Sequence, residues 1–316
     1  MKQLSCLLLL LSVAFSATAL ENDQAKTWLK RLSHSLQTLN FATSFVVVKN
    51  NQAEPYHWFH GVDEENNELE ILSLLNGPRR DILRKGNIVS YIEPELPAYS
   101  VFSDRIKGAI PAVFSQDISI LEASYNFVPV GRSRVLGRPA QMVRIVSKDQ
   151  TRYGYWLWLD QESGMLLKLA IYTRKGMLLE QIQFTHLDIT DTVGETLKQL
   201  SQSELPPVID VAKSELTEAL SWKVNWLPEG FKRITANRHR INLTKKPVEF
   251  MLFSDGLVDI SVYVAPSNTK VRPEEYVLDG ATVALTEVSN GIEVSVVGKV
   301  PIATAQAIAN SITANP

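Results

Sequence analysis

Cysteine is nearly missing from this chain: its 316 residues hold one, Cys6, inside a leucine-rich run at the N-terminus. Residues 1–19 have the parts of a secretory signal peptide: Lys2 as the positive start, an apolar stretch over 4–15, and the small residues Ala17-Thr18-Ala19. Cys6 stands too near the start to be a lipidated cysteine at the cleavage boundary. Cleavage near Ala19 leaves an exported chain without a thiol, which excludes both a disulfide framework and a cysteine nucleophile. Such a chain holds together by burial alone, and 297 residues after cleavage suffice for two cores of ordinary size. No later apolar run reaches the length of a bilayer span. An excess of positive charge is missing too. Lys and Arg number 32 against 34 Asp and Glu, a formal charge of −2 that becomes −3 when Lys2 leaves with the signal peptide. That balance argues against nucleic acid as a partner.

The signatures of catalysis are absent as well. The chain has no H-E-x-x-H, no G-x-S-x-G and no P-loop lysine motif. His57 and His60 are three apart in an expected strand, so they point to opposite faces and cannot chelate one ion as neighbours. Asp63-Glu64-Glu65 reads as a solvated charge run, because no apolar setting splits the pKa values of its carboxyls. No catalytic residue, metal ligand or cofactor is assigned, and the expectation is a binding protein and not an enzyme.

What is present is a meander. Residues 74–94, LLNGPRRDILRKGNIVSYIEP, hold turn signals at Asn76-Gly77 and Gly86-Asn87. If the second turn closes a hairpin, Lys85 lies opposite Ile88, Leu83 opposite Ser90, Ile82 opposite Tyr91 and Arg80 opposite Glu93. Leu83, Ile88 and Ile92 then share a core-like face, while Arg80, Ile82, Arg84, Val89, Tyr91 and Glu93 share a mixed one. A sheet of that kind can curve round a groove for something partly greasy and partly anionic.

Upstream, Asn22 or Asp23 can cap a helix running to about Leu39, with Ala25, Trp28, Leu29, Leu32, Leu36 and Leu39 on one face. Short strands follow from residue 43, and residues 103–121 read as an irregular segment with short helices covering the groove. Strand signals return over 125–187, separated by turn residues that suit antiparallel neighbours. Roughly ten strands without a long intervening helix favour one strongly bent antiparallel sheet. In the strand over 153–159, Trp156 and Trp158 share a face opposite Tyr155, Leu157 and Leu159. The expected division is a larger unit over 21–200, a linker over 201–214 containing Pro206-Pro207, and a smaller α+β unit over 215–316. That smaller unit has hairpin turns at Asp255-Gly256 and Asn290-Gly291, and closes with a helix opened by Pro301.

Arginines crowd two spans: Arg79, Arg80 and Arg84 in the meander, and Arg132, Arg134, Arg138, Arg144 and Arg152 further on. Two readings stand side by side, cross-strand pairing with acids and an anion site built from guanidinium forks.

Several ungapped blocks resemble one family. NGPRRDILRKGNIVSYIEP (76–94), YNFVPVGRSRVLGRPAQMVRIVSKDQTRYGYWLWLD (125–160), SELPP (203–207), WLPEGF (226–231) and FSDGL (253–257) are similar to the RseB/MucB regulators, in the same order along nearly the whole chain. The resemblance implies a periplasmic negative regulator of the sigma-E envelope stress response. Such a protein binds the periplasmic domain of the anti-sigma factor RseA and shields it from the protease DegS. It also implies a mainly β fold with α: an incomplete antiparallel β-barrel like that of the LolA/LolB lipoprotein carriers, packed on helices, plus a smaller C-terminal α+β domain. Lipid or lipopolysaccharide is the implied releasing signal, acting by linkage between groove occupancy and affinity for the anti-sigma factor.

On this reading Arg80, Tyr91, Arg132, Arg134 and Trp156 are candidates for lipid or anion binding. Phe250, Phe253, Leu257 and Tyr263, on strands expected to form an edge, are candidates for anti-sigma binding. The rival class is a periplasmic lipid or lipoprotein carrier, which needs no second unit. Self-association into a homo-oligomer is left open by the sequence.

Overall fold

The computed structural model describes residues 22–209, 220–240, 247–268, 271–289 and 291–315. The signal peptide, residues 210–219 at the end of the linker and the start of the second unit, and Asn290 lie outside the described residues. A helix over residues 22–38 (α1) comes first. Eleven strands follow: β1 (Asn40–Lys49), β2 (Gln52–Val62), β3 (Glu68–Leu74), β4 (Arg80–Lys85), β5 (Ile88–Ile92), β6 (Tyr99–Phe102), β7 (Tyr125–Val135), β8 (Arg138–Ser147), β9 (Gly154–Asp160), β10 (Leu166–Tyr172) and β11 (Leu178–Thr190). A short helix, α2 (Glu195–Gln202), ends this unit.

These strands form one antiparallel sheet in the order β6-β5-β4-β3-β2-β1-β11-β10-β9-β8-β7. It is two meanders joined where β1 pairs with β11. Its terminal strands β6 and β7 do not pair with each other, so the barrel stays open, and the residues between them carry two 3-10 turns, Ala112–Ser115 and Ile118–Leu121. The concave face closes on α1, whose Ala25, Leu29, Leu32 and Leu36 are buried with Phe41, Phe45, Val47, Leu157, Ile182 and Phe184. Each fully buried leucine there contributes about 1.5–3 kcal/mol of transfer free energy. Asn22 does not cap from outside: it already lies in the helix, and its Oδ1 accepts the Phe127 amide at 3.0 Å, tying α1 to β7.

The hairpin register matches the turn argument, with Lys85 opposite Ile88, Leu83 opposite Ser90 and Ile82 opposite Tyr91. Its mixed face lines the groove, and the face read as core-like is covered from outside. The mixed face, with Val89 fully buried and Arg84 8% exposed, is the concave one. Leu83 faces outward, where α2 supplies Leu197 and Leu200 as cover. An arginine-bearing face turns inward because acids on β3 receive it, as described below.

The smaller unit has β12 (Trp222–Val224), β13 (Lys232–Arg240), β14 (Pro247–Ser254), β15 (Asp259–Pro266), β16 (Val271–Asp279), β17 (Thr282–Ser289), β18 (Ile292–Gly298), helix α3 (Ile302–Asn310) and β19 (Ile312–Ala314). Six of them form a second sheet, ordered β13-β14-β15-β18-β17-β16, with α3 packed on β17 and β18. The expected edge over 249–265 is corrected here. β14 is bonded on both sides, to β13 and β15, and β15 to β14 and β18, so neither leaves backbone groups free to template a peptide. The edges are β13 and β16, which polar, poorly alternating sequences had hidden. The closing helix opened by Pro301 ends at Asn310, and Ile312 opens β19, which pairs with β12.

Candidate functional site

The concave groove is roofed by the segment between β6 and the first 3-10 turn. A cavity of about 280 Å³ lies beneath it, at the lower end of the ligand-cavity range. Its apolar walls are Leu36 from α1, Phe45 from β1, Trp58 from β2 and Leu72 from β3, with Ile106, Ala109 and Ile110 as the roof. One end is polar. Arg84 Nη1 donates to Glu68 Oε2 at 2.5 Å and Glu70 Oε1 at 2.9 Å, and Trp58 Nε1 donates to Glu70 Oε2 at 3.0 Å. Glu68 stands 3.9 Å from the His60 ring and in contact with Arg84, and its carboxyl is pulled below the usual range by the His60 ring and the Arg84 guanidinium against the opposing effect of burial. Arg84 is therefore already paired. The groove offers a grease-lined slot whose polar end sets one guanidinium between two carboxylates.

A second feature joins the two units. Arg152 and Asp255 have fully buried side chains and meet at 2.7 Å between Nε and Oδ2. The Tyr125 hydroxyl donates to the same oxygen at 2.6 Å, while Asp255 Oδ1 accepts the amides of Leu257 and Val258 at 2.9 and 2.8 Å. Burial, then the neighbouring Asp255 charge, raises the Tyr125 pKa well above that of a free phenol, so it stays a donor. Arg152 also donates from Nη1 to Asp149 Oδ1 at 2.8 Å and from Nη2 to the Glu229 carbonyl. Its guanidinium stands 4.9 Å over the Phe231 ring. Every polar group in this knot has a partner, as a buried charge requires.

Further contacts extend the junction. Lys49 Nζ reaches Asp279 Oδ2 at 2.7 Å, Lys299 Nζ reaches Glu180 Oε1 at 2.7 Å, and Thr304 Oγ1 donates to the Thr151 carbonyl at 2.7 Å. Between these anchors an open cleft of about 570 Å³ runs along the same roof segment, with Tyr155 and Ile171 on one side and Gly256, Val258 and Lys299 on the other. The roof thus has the cavity beneath it and the cleft beside it.

The linker is pinned. The Ser100 amide donates to the Pro207 carbonyl at 2.8 Å and the Ile209 amide to the Ser100 carbonyl at 2.8 Å, a parallel bridge onto edge strand β6. Ser100 Oγ donates to the Pro206 carbonyl at 2.7 Å and bonds Ser90 Oγ at 2.8 Å.

The candidate residues from the sequence are dispersed. Arg80 and Tyr91 share the concave face, with Arg80 exposed and Tyr91 half-buried against Tyr99, ring centroids 5.3 Å apart. Arg132 and Arg134 are exposed on β7 beyond its bulge, and Arg134 donates to the Gly137 carbonyl at 3.2 Å. Trp156 stands on the convex face of β9, opposite Tyr155 and Leu157, and so cannot join Arg80 in one pocket. In the smaller unit Phe250 and Tyr263 are cross-strand partners with rings 5.0 Å apart, and Tyr263 is 36% exposed. Phe253 and Leu257 are buried instead. Of the crowded arginines, Arg79, Arg84, Arg138 and Arg152 have acid partners, which is the pairing reading; Arg80 and Arg132 have no ion pair among the described residues. The knot was missed because Asp255 read as a turn residue and Arg152 as one cation among many. The one signal was that both fall within the ungapped family blocks.

Comparison with known proteins agrees along the whole length. The MucB/RseB N-terminal domain model matches residues 24–209 and the MucB/RseB C-terminal domain model residues 216–313. The chain is 31% identical over 305 residues to the sigma-E factor regulatory protein RseB of Escherichia coli K12, covering 95% of this chain and 94% of that one. Two solved complexes superpose well. MucB in complex with MucA(peri) has a TM-score of 0.74 at 30% identity, covering 92% of this chain and 99% of that one. The Pseudomonas aeruginosa MucA/MucB complex has 0.75 at 28%, covering 93% and 99%. Among the described residues no group of three or more His, Cys, Asp or Glu is placed to hold a metal ion, and no helix is long and apolar enough to cross a membrane.

Proposed function

This chain belongs to the MucB/RseB family, and from that membership we propose that it is a negative regulator of the sigma-E type envelope stress response. It acts by binding the periplasmic domain of an RseA/MucA-type anti-sigma factor. The observation that carries this reading is the end-to-end superposition, both units together, on MucB chains solved with their anti-sigma partner. It works in the periplasm after loss of its signal peptide near Ala19, and it works by occupancy, without making or breaking covalent bonds.

The junction geometry supports a mechanism. The partner is held by one arrangement of the two units, which keeps the anti-sigma domain from DegS; lipid or lipopolysaccharide entering the groove displaces the roof and weakens that hold. Linkage demands that lipid bind the released arrangement better by as much as it weakens the partner. The roof segment is suited to this role because it borders both the apolar-walled cavity and the cleft. The test is proteolysis of the cognate anti-sigma periplasmic domain by DegS, with and without the mature protein. Slower cleavage, restored by lipopolysaccharide, supports the reading. Unchanged cleavage, or turnover of a substrate by the protein alone, overturns it. A pull-down yielding lipoproteins without the anti-sigma factor favours the carrier reading.

A further inference from the structure

The convex face of the larger sheet carries a feature that regulation through the groove does not use. Trp156 and Trp158 on β9 lie side by side, ring centroids 6.3 Å apart, and Tyr172 meets Trp156 edge-on at 5.8 Å. Each tryptophan has a cation over it: the Arg144 guanidinium is 4.7 Å from the Trp156 centroid, and Lys168 Nζ is 4.8 Å from that of Trp158. Arg144, Trp156, Trp158 and Tyr172 line an open cleft of about 560 Å³, with Arg174 at its rim and Arg152 at its inner end; Lys168 stands beside it over Trp158. Among the described residues no carboxylate lines it. The acid nearest in sequence, Asp149, is engaged by Arg152.

Three observations say what the cleft would take. Arg144 has no hydrogen bond or ion pair among the described residues, and its Nε is buried without a partner, so stacking on Trp156 holds the fork flat with its outer N–H groups unspent. The Lys168 pKa is lowered by burial, so an incoming anion would relieve a desolvated ammonium. The cations are also spread. Arg144 stands opposite Trp156 on one cross-strand row and Lys168 opposite Trp158 on the next, two strands away. Their charged ends lie over two different rings whose centroids are 6.3 Å apart, close to the roughly 7 Å between same-face residues of an extended chain, so successive carboxylates of such a chain can meet both. A membrane surface also has many anions, but adsorption needs protruding apolar groups, and Trp158 is recessed at 9% exposure.

We propose that this aromatic-floored, cation-lined cleft on the convex face is a docking site for an acidic polypeptide segment. Its carboxylates are gripped by Arg144, Lys168 and Arg174, with backbone or apolar groups laid on Trp156 and Trp158. The site lies on the face of the sheet opposite the groove and meets the junction only through Arg152, so a protein partner can occupy it while the anti-sigma factor is bound.

The test titrates the mature protein with a blocked peptide of alternating glutamate and glycine by calorimetry. In parallel arms the probes are inorganic phosphate and vesicles of phosphatidylglycerol. The expected result is saturable peptide binding that weakens about tenfold in Arg144→Gln, the loss of one charge-assisted contact. Trp156→Ala weakens it as well, Arg144→Lys recovers it only in part, and the exposed helix variant Lys30→Gln leaves it unchanged. Far-UV circular dichroism of each variant checks folding. Equal binding by wild type and Arg144→Gln overturns the proposal, as does no peptide binding. Full displacement by millimolar phosphate would make this a small-anion site, and vesicle binding through Arg144 without peptide binding would make it a membrane surface; either overturns it too. DegS protection is measured on the same variants, and its persistence in Arg144→Gln separates failure here from failure of the regulatory reading.

Discussion

Splitting the buried Arg152–Asp255 pair is the sharpest way to ask whether the two units act as one. In Asp255→Asn the amide can still accept the Leu257 and Val258 backbone bonds, so the turn survives. Arg152 then keeps Asp149 as its only carboxylate, and a neutral group faces its Nε and the Tyr125 hydroxyl. Removing one member of a fully buried pair costs about 3–5 kcal/mol. For a chain of this size that corresponds to a fall in Tm of roughly 6–20 °C. Arg152→Met does comparable damage by stranding the Asp255 carboxylate. The double variant strands neither charge, so its loss falls short of the two single losses added together by about 1–3 kcal/mol. Scanning calorimetry on the mature wild type, both single variants and the double variant reads all four corners, and anti-sigma affinity is measured alongside. Strict additivity of the single losses, or a Tm change under 2–3 °C for either one, would refute the claim that this contact holds the units together.

Acid sensitivity follows from three carboxyls. Burial works to raise Asp149, Asp160 and Glu249, but hydrogen bonds and the facing Arg152, Arg138 and Arg238 outweigh it and leave all three below their ordinary values. A depressed folded pKa stabilises above the unfolded value and loses that stability as pH falls through the folded one. Urea unfolding is therefore expected to be flat from pH 5 to 7 with respect to these groups and to weaken below about pH 4. Gly256 has φ +96°, and a Cβ there would lie 2.7 Å from Ile120 Cδ1. Gly256→Ala should lower junction stability by about 1–3 kcal/mol in the same calorimetry. Ala112→Trp, placed on the lining of the 280 Å³ cavity, should abolish uptake of lipopolysaccharide fragments while leaving anti-sigma binding intact; unchanged uptake would move the lipid site elsewhere. Arg80→Ala and Arg132→Ala should each weaken headgroup binding, and unchanged affinity for lipopolysaccharide fragments in either would remove that residue from the lipid site.

Elements whose evidence is local were legible in the letters. The α1 stripe of Ala25, Leu29, Leu32 and Leu36, the register of the β4–β5 hairpin, and the opposite facing of Trp156 and Tyr155 all follow from periods of 3.6 and 2, or from a two-residue turn. These depend on residues within a few positions of one another. The family was legible because its blocks are contiguous. Strand order in the smaller sheet was not: β13 and β16 alternate weakly, so β14 and β15 looked like an edge when they are the interior.

By itself, then, the sequence determined the alternation of faces along each strand, the helix that the large sheet wraps, and membership in a family of regulators. Which face became the concave one was decided only in three dimensions, because Arg84 can be buried only where Glu68 and Glu70, 16 and 14 residues away, stand to receive it. Tertiary structure alone also brought Arg152 to Asp255 across 103 residues and left Arg144 stacked and unpaired over Trp156. A side chain's charge is written locally, but whether it is neutralised depends on what the fold sets opposite it.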